Sequence, residues 1–171
     1  LKRLGELVEY HTEIELLIVG GVAGMITGLF DPKHVTGDCD VMNYAPAEAM
    51  AAVELAAEQV GEELGLPSNW LNSDVQIRVD ALPSGWQQRK VLIGEHGILR
   101  MYAVSRPDLI AMKVLAGRDQ DLEDLEELRV REDEVDFART YLGTLQAQGT
   151  PQEQIDDAYE LLDALELHDE Q

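Results

Sequence analysis

Apolar positions recur first at helical and then at strand spacing along the chain. Leu4, Leu7, Val8 and His11 fall three and four residues apart, which predicts an opening helix over 4–13. Glu15-Leu16-Leu17-Ile18-Val19 is a short apolar run that stops at Gly20-Gly21, the pattern of a buried strand followed by a tight turn. Small apolar residues over 22–29 predict a helix packed on that strand. Asp31-Pro32 through Gly37 reads as a loop, and Asp38-Cys39-Asp40-Val41-Met42 alternates polar and apolar residues, the strand period. Pro46 sits where a first helical turn is expected, and the Ala- and Glu-rich stretch from Ala47 to Leu64 predicts a long helix ending at Gly65.

Pro67 to Ser73, with Trp70, reads as a loop or short helical turn. Val75 to Val79 alternates as a strand. Pro83-Ser84-Gly85 is a break, and Lys90–Ile93 and Ile98–Val104 are strand-like, joined by a turn near Glu95-His96-Gly97. Beyond them the pattern is helical throughout: Pro107 to Gly117, Asp121 to Arg129, Glu132 to Gln148, and 151 to about 167. Thr150-Pro151-Gln152-Glu153 has the form of a capping box for the last of these. Strands and helices mixed, then helices alone, predict an α+β fold. The expected arrangement is one domain over 1–171, with an α/β head (1–105) and a helical tail (106–171) packed on it.

Charge narrows the range of partners. The chain has 171 residues, with 34 Asp plus Glu against 13 Lys plus Arg, a net charge of −21. Such a surface repels phosphate backbones, so broad capture of DNA or RNA is excluded and any nucleic acid must meet a local site or a bound cation. Ten acids lie between Asp119 and Asp136, and eight more between Gln152 and Gln171, where there is no Lys or Arg. These runs are either solvated helix faces or a dock for a basic partner. No apolar run is long enough to span a membrane. Cys39 is the only cysteine, which excludes an intrachain disulfide and makes a reducing, cytoplasmic setting the expectation. In strand phase it points to the core and reads as a small apolar residue.

The chemistry concentrates at Gly20-Gly21 and Asp38-x-Asp40. Residues two apart on a strand share a face, so Asp38 and Asp40 are expected on one side, roughly 7 Å apart, with Cys39 and Val41 on the other. Two such carboxylates repel unless a cation sits between them. Hard divalent ions such as Mg²⁺ or Mn²⁺ take oxygen ligands of this kind and leave positions open for phosphates. Glycines at the end of the preceding strand let a phosphate approach backbone N–H groups.

This arrangement resembles the nucleotidyltransferase superfamily, whose motif is a Gly-Gly or Gly-Ser after the first strand and a D-x-D on the second. A second stretch, Leu109 to Leu125, resembles the K-x-x-A-x-R-x-x-D-x-x-D segment of minimal bacterial nucleotidyltransferases of the AbiE toxin type and their uncharacterised relatives, and Trp70-Leu71-Asn72 is similar to that branch as well. The resemblance implies a nucleotidyltransferase-like small mixed sheet flanked by helices. It implies that Asp38 and Asp40 bind Mg²⁺ or Mn²⁺, that Gly20 and Gly21 line the phosphate pocket of an NTP, and that Lys113 contacts phosphate or base with Asp121 beside it. Active members carry a third carboxylate on a neighbouring strand. Ile98–Val104 has no acid, which leaves Asp80 as the candidate.

Two functions follow from the resemblance. One is transfer of a nucleoside monophosphate from NTP to an RNA or protein acceptor. The other is a degenerate binding module, such as the partner of a cognate toxin or antitoxin protein. Lys113, Arg118, Asp121 and Asp124 also fit a structural ion-pair network at a helix junction, with Asp121 capping the second helix.

Overall fold

The computed structural model describes residues 1–31, 33, 37–73 and 82–165. The expected strand at Val75–Val79, and Asp80 after it, lie outside the described residues. The chain divides into two compact units, Leu1–Asp80 with Lys90–Val104, and Ala81–Arg89 with Ser105–Gln171.

The first unit is built on β1 (Ile14–Ile18). Leu16, Leu17 and Ile18 have no exposed surface, so both faces of this strand are covered. A continuous apolar run, not an alternating one, is what such a position demands. β1 pairs antiparallel with β2 (Cys39–Ala45) and parallel with β5 (Leu99–Ala103). The two-residue β3 (Leu71–Asn72) joins β2 in parallel, and β4 (Val91–His96) joins β5 antiparallel. Among the described residues the result is a five-stranded mixed sheet in the order β3-β2-β1-β5-β4. With the helices around it, this is the α+β class expected.

Among the described residues three α-helices accompany the sheet. α1 (Lys2–Leu7) is shorter than the expected 4–13, because the backbone turns extended at Val8. α2 (Gly20–Ile26) begins at the glycines themselves, and Gly20, at φ 67°, is where the chain turns into the helix. α3 (Met50–Leu64) follows a single 3-10 turn at Ala47–Ala49, and it buries Met50, Val53, Ala57 and Val60 at helical spacing. It ends at Gly65, whose φ of 65° suits a residue without a Cβ. The turn between β4 and β5 falls at Gly97, slightly later than expected, with φ 61°.

The second unit is helical: α4 (Trp86–Arg89), α5 (Arg106–Ala116), α6 (Asp119–Leu128), α7 (Glu132–Ala147) and α8 (Gln152–Ala164). α5 is its axis and packs on α6, α7 and α8. Leu109, Ile110 and Val114 of α5 are buried with Leu125, Leu142, Ile155 and Leu162 from those helices. The capping box expected at Thr150 does not form. Pro151 takes the N-cap, with no side chain bonded to the helix end. Leu165 turns extended there, so the buried stripe of α8 is Ile155, Ala158 and Leu162.

Segment 81–89 belongs with the helices for a visible reason. Arg89 on α4 binds Asp108 of α5 through two bonds, at 3.1 and 2.6 Å, and also donates to Ser84 O at 3.0 Å. Its guanidinium lies 5.0 Å from the ring centre of Phe137 on α7. Asp108 is fully buried and accepts a third bond from Ser105 Oγ at 2.5 Å. Removing one partner of a buried ion pair leaves the other charge uncompensated, which costs about 3–5 kcal/mol. Arg89→Ala is expected to lower the unfolding free energy of the full chain by that amount in urea. A loss below about 1 kcal/mol, the ceiling for an exposed pair, would show that solvent already satisfies Asp108.

Candidate functional site

The antiparallel register of β1 and β2 continues one residue past the end of β1. The Val19 N–H donates to Asp40 O at 3.0 Å, and this lays Gly20 against the Asp40 side chain. A Cβ on Gly20 would stand 2.8 Å from Asp40 Oδ2, and the residue has φ +67°, the left-handed region. Space and backbone conformation therefore both select glycine here.

On the other side of β2, Asn72 of β3 stands in register with Asp40. Its Nδ2 donates to Asp40 Oδ1 at 2.8 Å. The half-buried Asp40 carboxylate is thus set between the start of α2 and the end of β3. Trp70 fixes β3 in turn. Its carbonyl accepts from the Cys39 N–H at 2.7 Å, and its indole Nε1 donates to Ala57 O of α3 at 2.9 Å. Trp70 is thus a packing residue.

Asp38 is half-buried in the bend immediately before the first residue of β2. Cys39 lies between the two acids and is buried at 6% exposure. Burial, and then the charge of Asp40, push its thiol up to about 12. At neutral pH it stays protonated, a core residue and not a nucleophile or soft metal ligand.

Lys113 and Asp121 meet in the helical unit. The Lys113 Nζ, 5% exposed, donates to Asp121 Oδ1 at 2.9 Å and makes a short bond to Asp124. Arg118 closes on Asp121 with its Nε at 2.7 Å and its backbone N–H at 3.3 Å. Asp121 is the third residue of α6 and reaches back to the helix start, so it caps from inside the first turn and not from the N-cap. Burial works to raise its carboxyl, but hydrogen bonds from Arg118 and Lys113 outweigh it and hold it below its usual value. The structural network expected from the spacing is therefore present. The ion pair of Arg89 with Asp108 was missed; its one sequence trace is Ser105-x-x-Asp108, which has the capping-box spacing.

Among the described residues no group of three or more His, Cys, Asp or Glu could hold a metal ion. Two acids are nonetheless a suitable donor set for Mg²⁺ or Mn²⁺, which often take one or two carboxylates and complete their shell with water and substrate phosphates. Gly20 packs against that carboxylate, where a Cβ would stand 2.8 Å from Asp40 Oδ2.

A family model described as nucleotidyltransferase of unknown function (DUF6036) matches residues 1–150. The chain belongs to that family, whose match spans Gly20-Gly21, Asp38-x-Asp40 and the Lys113–Asp124 segment together. No curated protein and no solved structure matches the chain.

Two measurements check this geometry. Gly20→Ala is expected to cost at least about 1–2 kcal/mol, the penalty for a Cβ in the left-handed region, with the displacement of Asp40 added. Gly37→Ala, with nothing within 4 Å of its added methyl, serves as the near-neutral control. Equal urea midpoints for the two variants would contradict the close approach at Gly20.

The second measurement concerns pH. Asp121 and Glu134 are both held below their usual carboxyl values. Their contribution to stability is therefore complete at neutral pH and fades as acid protonates them, below about pH 4.5. Wild-type stability is expected to fall between pH 5 and pH 3, and Asp121→Asn is expected to show a shallower fall from a lower starting point. Parallel curves would remove Asp121 as a source of the acid sensitivity.

Proposed function

We propose that the chain is a divalent-cation-dependent enzyme that moves a nucleoside monophosphate from NTP to a hydroxyl or phosphate of an RNA or protein acceptor. The observation that carries this reading is the glycine beside the Asp40 carboxylate, with Asp38 two residues away and the family match spanning both. Asp38 and Asp40 would hold Mg²⁺ or Mn²⁺. The N–H groups of Gly20 and Gly21 open α2, where the first turn lacks intrahelical acceptors, and they line the path of the triphosphate. A bound cation supplies neutralisation of charge on the phosphate oxygens.

The protein's share is positioning, as for phosphoryl transfer in general. The acceptor oxygen bonds to the α-phosphorus, the α–β bridging bond breaks, pyrophosphate leaves, and the acceptor proton passes to a carboxylate or to water. Lys113 is committed to Asp121 and Asp124, so in this reading it stabilises the helical unit that carries it.

A second reading turns on the third carboxylate that the resemblance implies. Ile98–Val104 has no acid, and the remaining candidate, Asp80, lies outside the described residues. Without such an acid the chain would be a degenerate module that binds NTP or a partner protein, such as a cognate toxin or antitoxin, without transfer.

One assay separates the two. The protein is incubated with Mg²⁺, each α-labelled NTP in turn, and total RNA or lysate from its source. The enzyme reading expects label on RNA or protein, reduced on the order of 10²-fold or more in Asp38→Ala and Asp40→Asn. NTP binding without transfer supports the module. Absence of both transfer and NTP binding would return Asp38 and Asp40 to an ordinary strand end.

A further inference from the structure

We infer that Asn72 is a positioning residue that aims the Asp40 carboxylate and sets the cation affinity of the site. The inference rests on the proposed role of Asp38 and Asp40 as cation ligands. Three observations carry it. Asn72 stands in register with Asp40 across β2 and β3. Its Nδ2 donates to Oδ1 of Asp40 at 2.8 Å, while Oδ2 is the oxygen that faces Gly20. And β3 is a two-residue strand whose place is fixed by Trp70, bonded to Cys39 and to Ala57. Two residues of ladder are a small structural gain, yet they bring one amide to one carboxylate oxygen.

The chemistry of an amide at that point is specific. A carboxylate free to rotate presents either oxygen to a cation. A donor on Oδ1 fixes the plane of the group and turns Oδ2 toward Gly20. A neutral amide also adds no negative charge, so among the described residues Asp38 and Asp40 give the site two formal charges where an Asp at 72 would add a third. Asn72 thus keeps affinity for the free ion modest and leaves phosphates to supply the remaining ligands. An acid at position 72 would face Asp40 at hydrogen-bond range, a pair that repels strongly without a cation and holds one tightly.

The test uses the full chain and Mn²⁺ alone, read by electron paramagnetic resonance, with no nucleotide and no activity measurement. Asn72→Ala is expected to weaken Mn²⁺ binding about tenfold, the lower end for a group that orients a metal ligand. Asn72→Asp is expected to tighten it by a similar factor. Asn72→Asp should also melt lower than wild type without metal and gain more than wild type when Mn²⁺ is added. A merely structural role for Asn72 would shift melting in both variants without the opposite changes in Mn²⁺ affinity. Asp40→Asn is the reference. If it weakens Mn²⁺ binding while both Asn72 variants bind as wild type does, the positioning role is overturned and the cation site stands. If Asp40→Asn leaves Mn²⁺ binding unchanged, the cation site itself is overturned, and this inference with it.

Discussion

The pairing of β1 with β2 is the constraint on which the candidate site depends. The ladder runs Leu16↔Asn43, Leu17↔Met42 and Ile18↔Val41, and its last step joins Val19 to Asp40. Its one irregularity lies at the far end, between Glu15 and Leu16, where an extra residue is absorbed before Ala45. The regular half is the half that leads to Asp40. A slip of one residue there would send Asp40 to the opposite face. The slip is opposed by burial, because Leu16, Leu17, Ile18, Val41 and Met42 are all at or near zero exposure. Each buried side chain of this kind contributes about 1.5–3 kcal/mol. A hydrophobic register thus places a carboxylate against a glycine.

The helical unit is organised by charge placed inside it. Asp108, Asp121 and Glu134 are the third residues of α5, α6 and α7, and each is buried at 3% exposure or less. Each meets a cation from a different part of the unit: Arg89 for Asp108, Lys113 for Asp121, and Arg106 for Glu134 at 2.6 Å. An acid in the first turn offsets the positive end of its helix. A long basic side chain from elsewhere then ties that helix start to a neighbour. Replacing such pairs with apolar residues is often neutral or stabilising, so their contribution is better sought in specificity than in total stability. Apolar packing allows helices to slide by a turn. An acid bonded to one particular Arg or Lys allows one pairing of helix starts.

Much of the architecture was legible in the sequence, because it rests on periodicity and on glycines. The apolar run at 15–19 marked β1, the alternation at 38–42 marked β2, and Gly65, Gly117 and Gly149 marked helix ends, all three at positive φ. Boundaries were harder. α1 ends at Leu7 although apolar spacing continues to His11, and α2 starts at Gly20, where a Cβ would meet Asp40, and not at 22. The acidic stretch at 119–136 showed why charge runs mislead. Most of its acids are solvated, yet Asp121, Asp124 and Glu134 are core residues. Their cations lie 3 to 28 residues away, and the nearest of them, Arg118 and Arg131, are easily taken for surface charges. Asn72 was legible as part of Trp70-Leu71-Asn72, but its bond to Asp40 depends on a strand pairing across 32 residues that local pattern does not encode.

The overall charge bears on how such a site would work. A chain at −21 offers a triphosphate no attraction at a distance. Beyond about 8–10 Å salt screens the repulsion, so binding must be won within the last few ångströms. In the first unit the backbone N–H groups at the start of α2, and whatever cation Asp38 and Asp40 recruit, are suited to that. Under the proposed reading the cation is therefore more than a cofactor for the chemistry. It reverses the local sign of the potential, so that a nucleotide carrying its own Mg²⁺ meets two carboxylates as ligands, where a bare nucleotide meets them as like charges. The same surface that excludes polyanions at large would then admit one polyphosphate at one place.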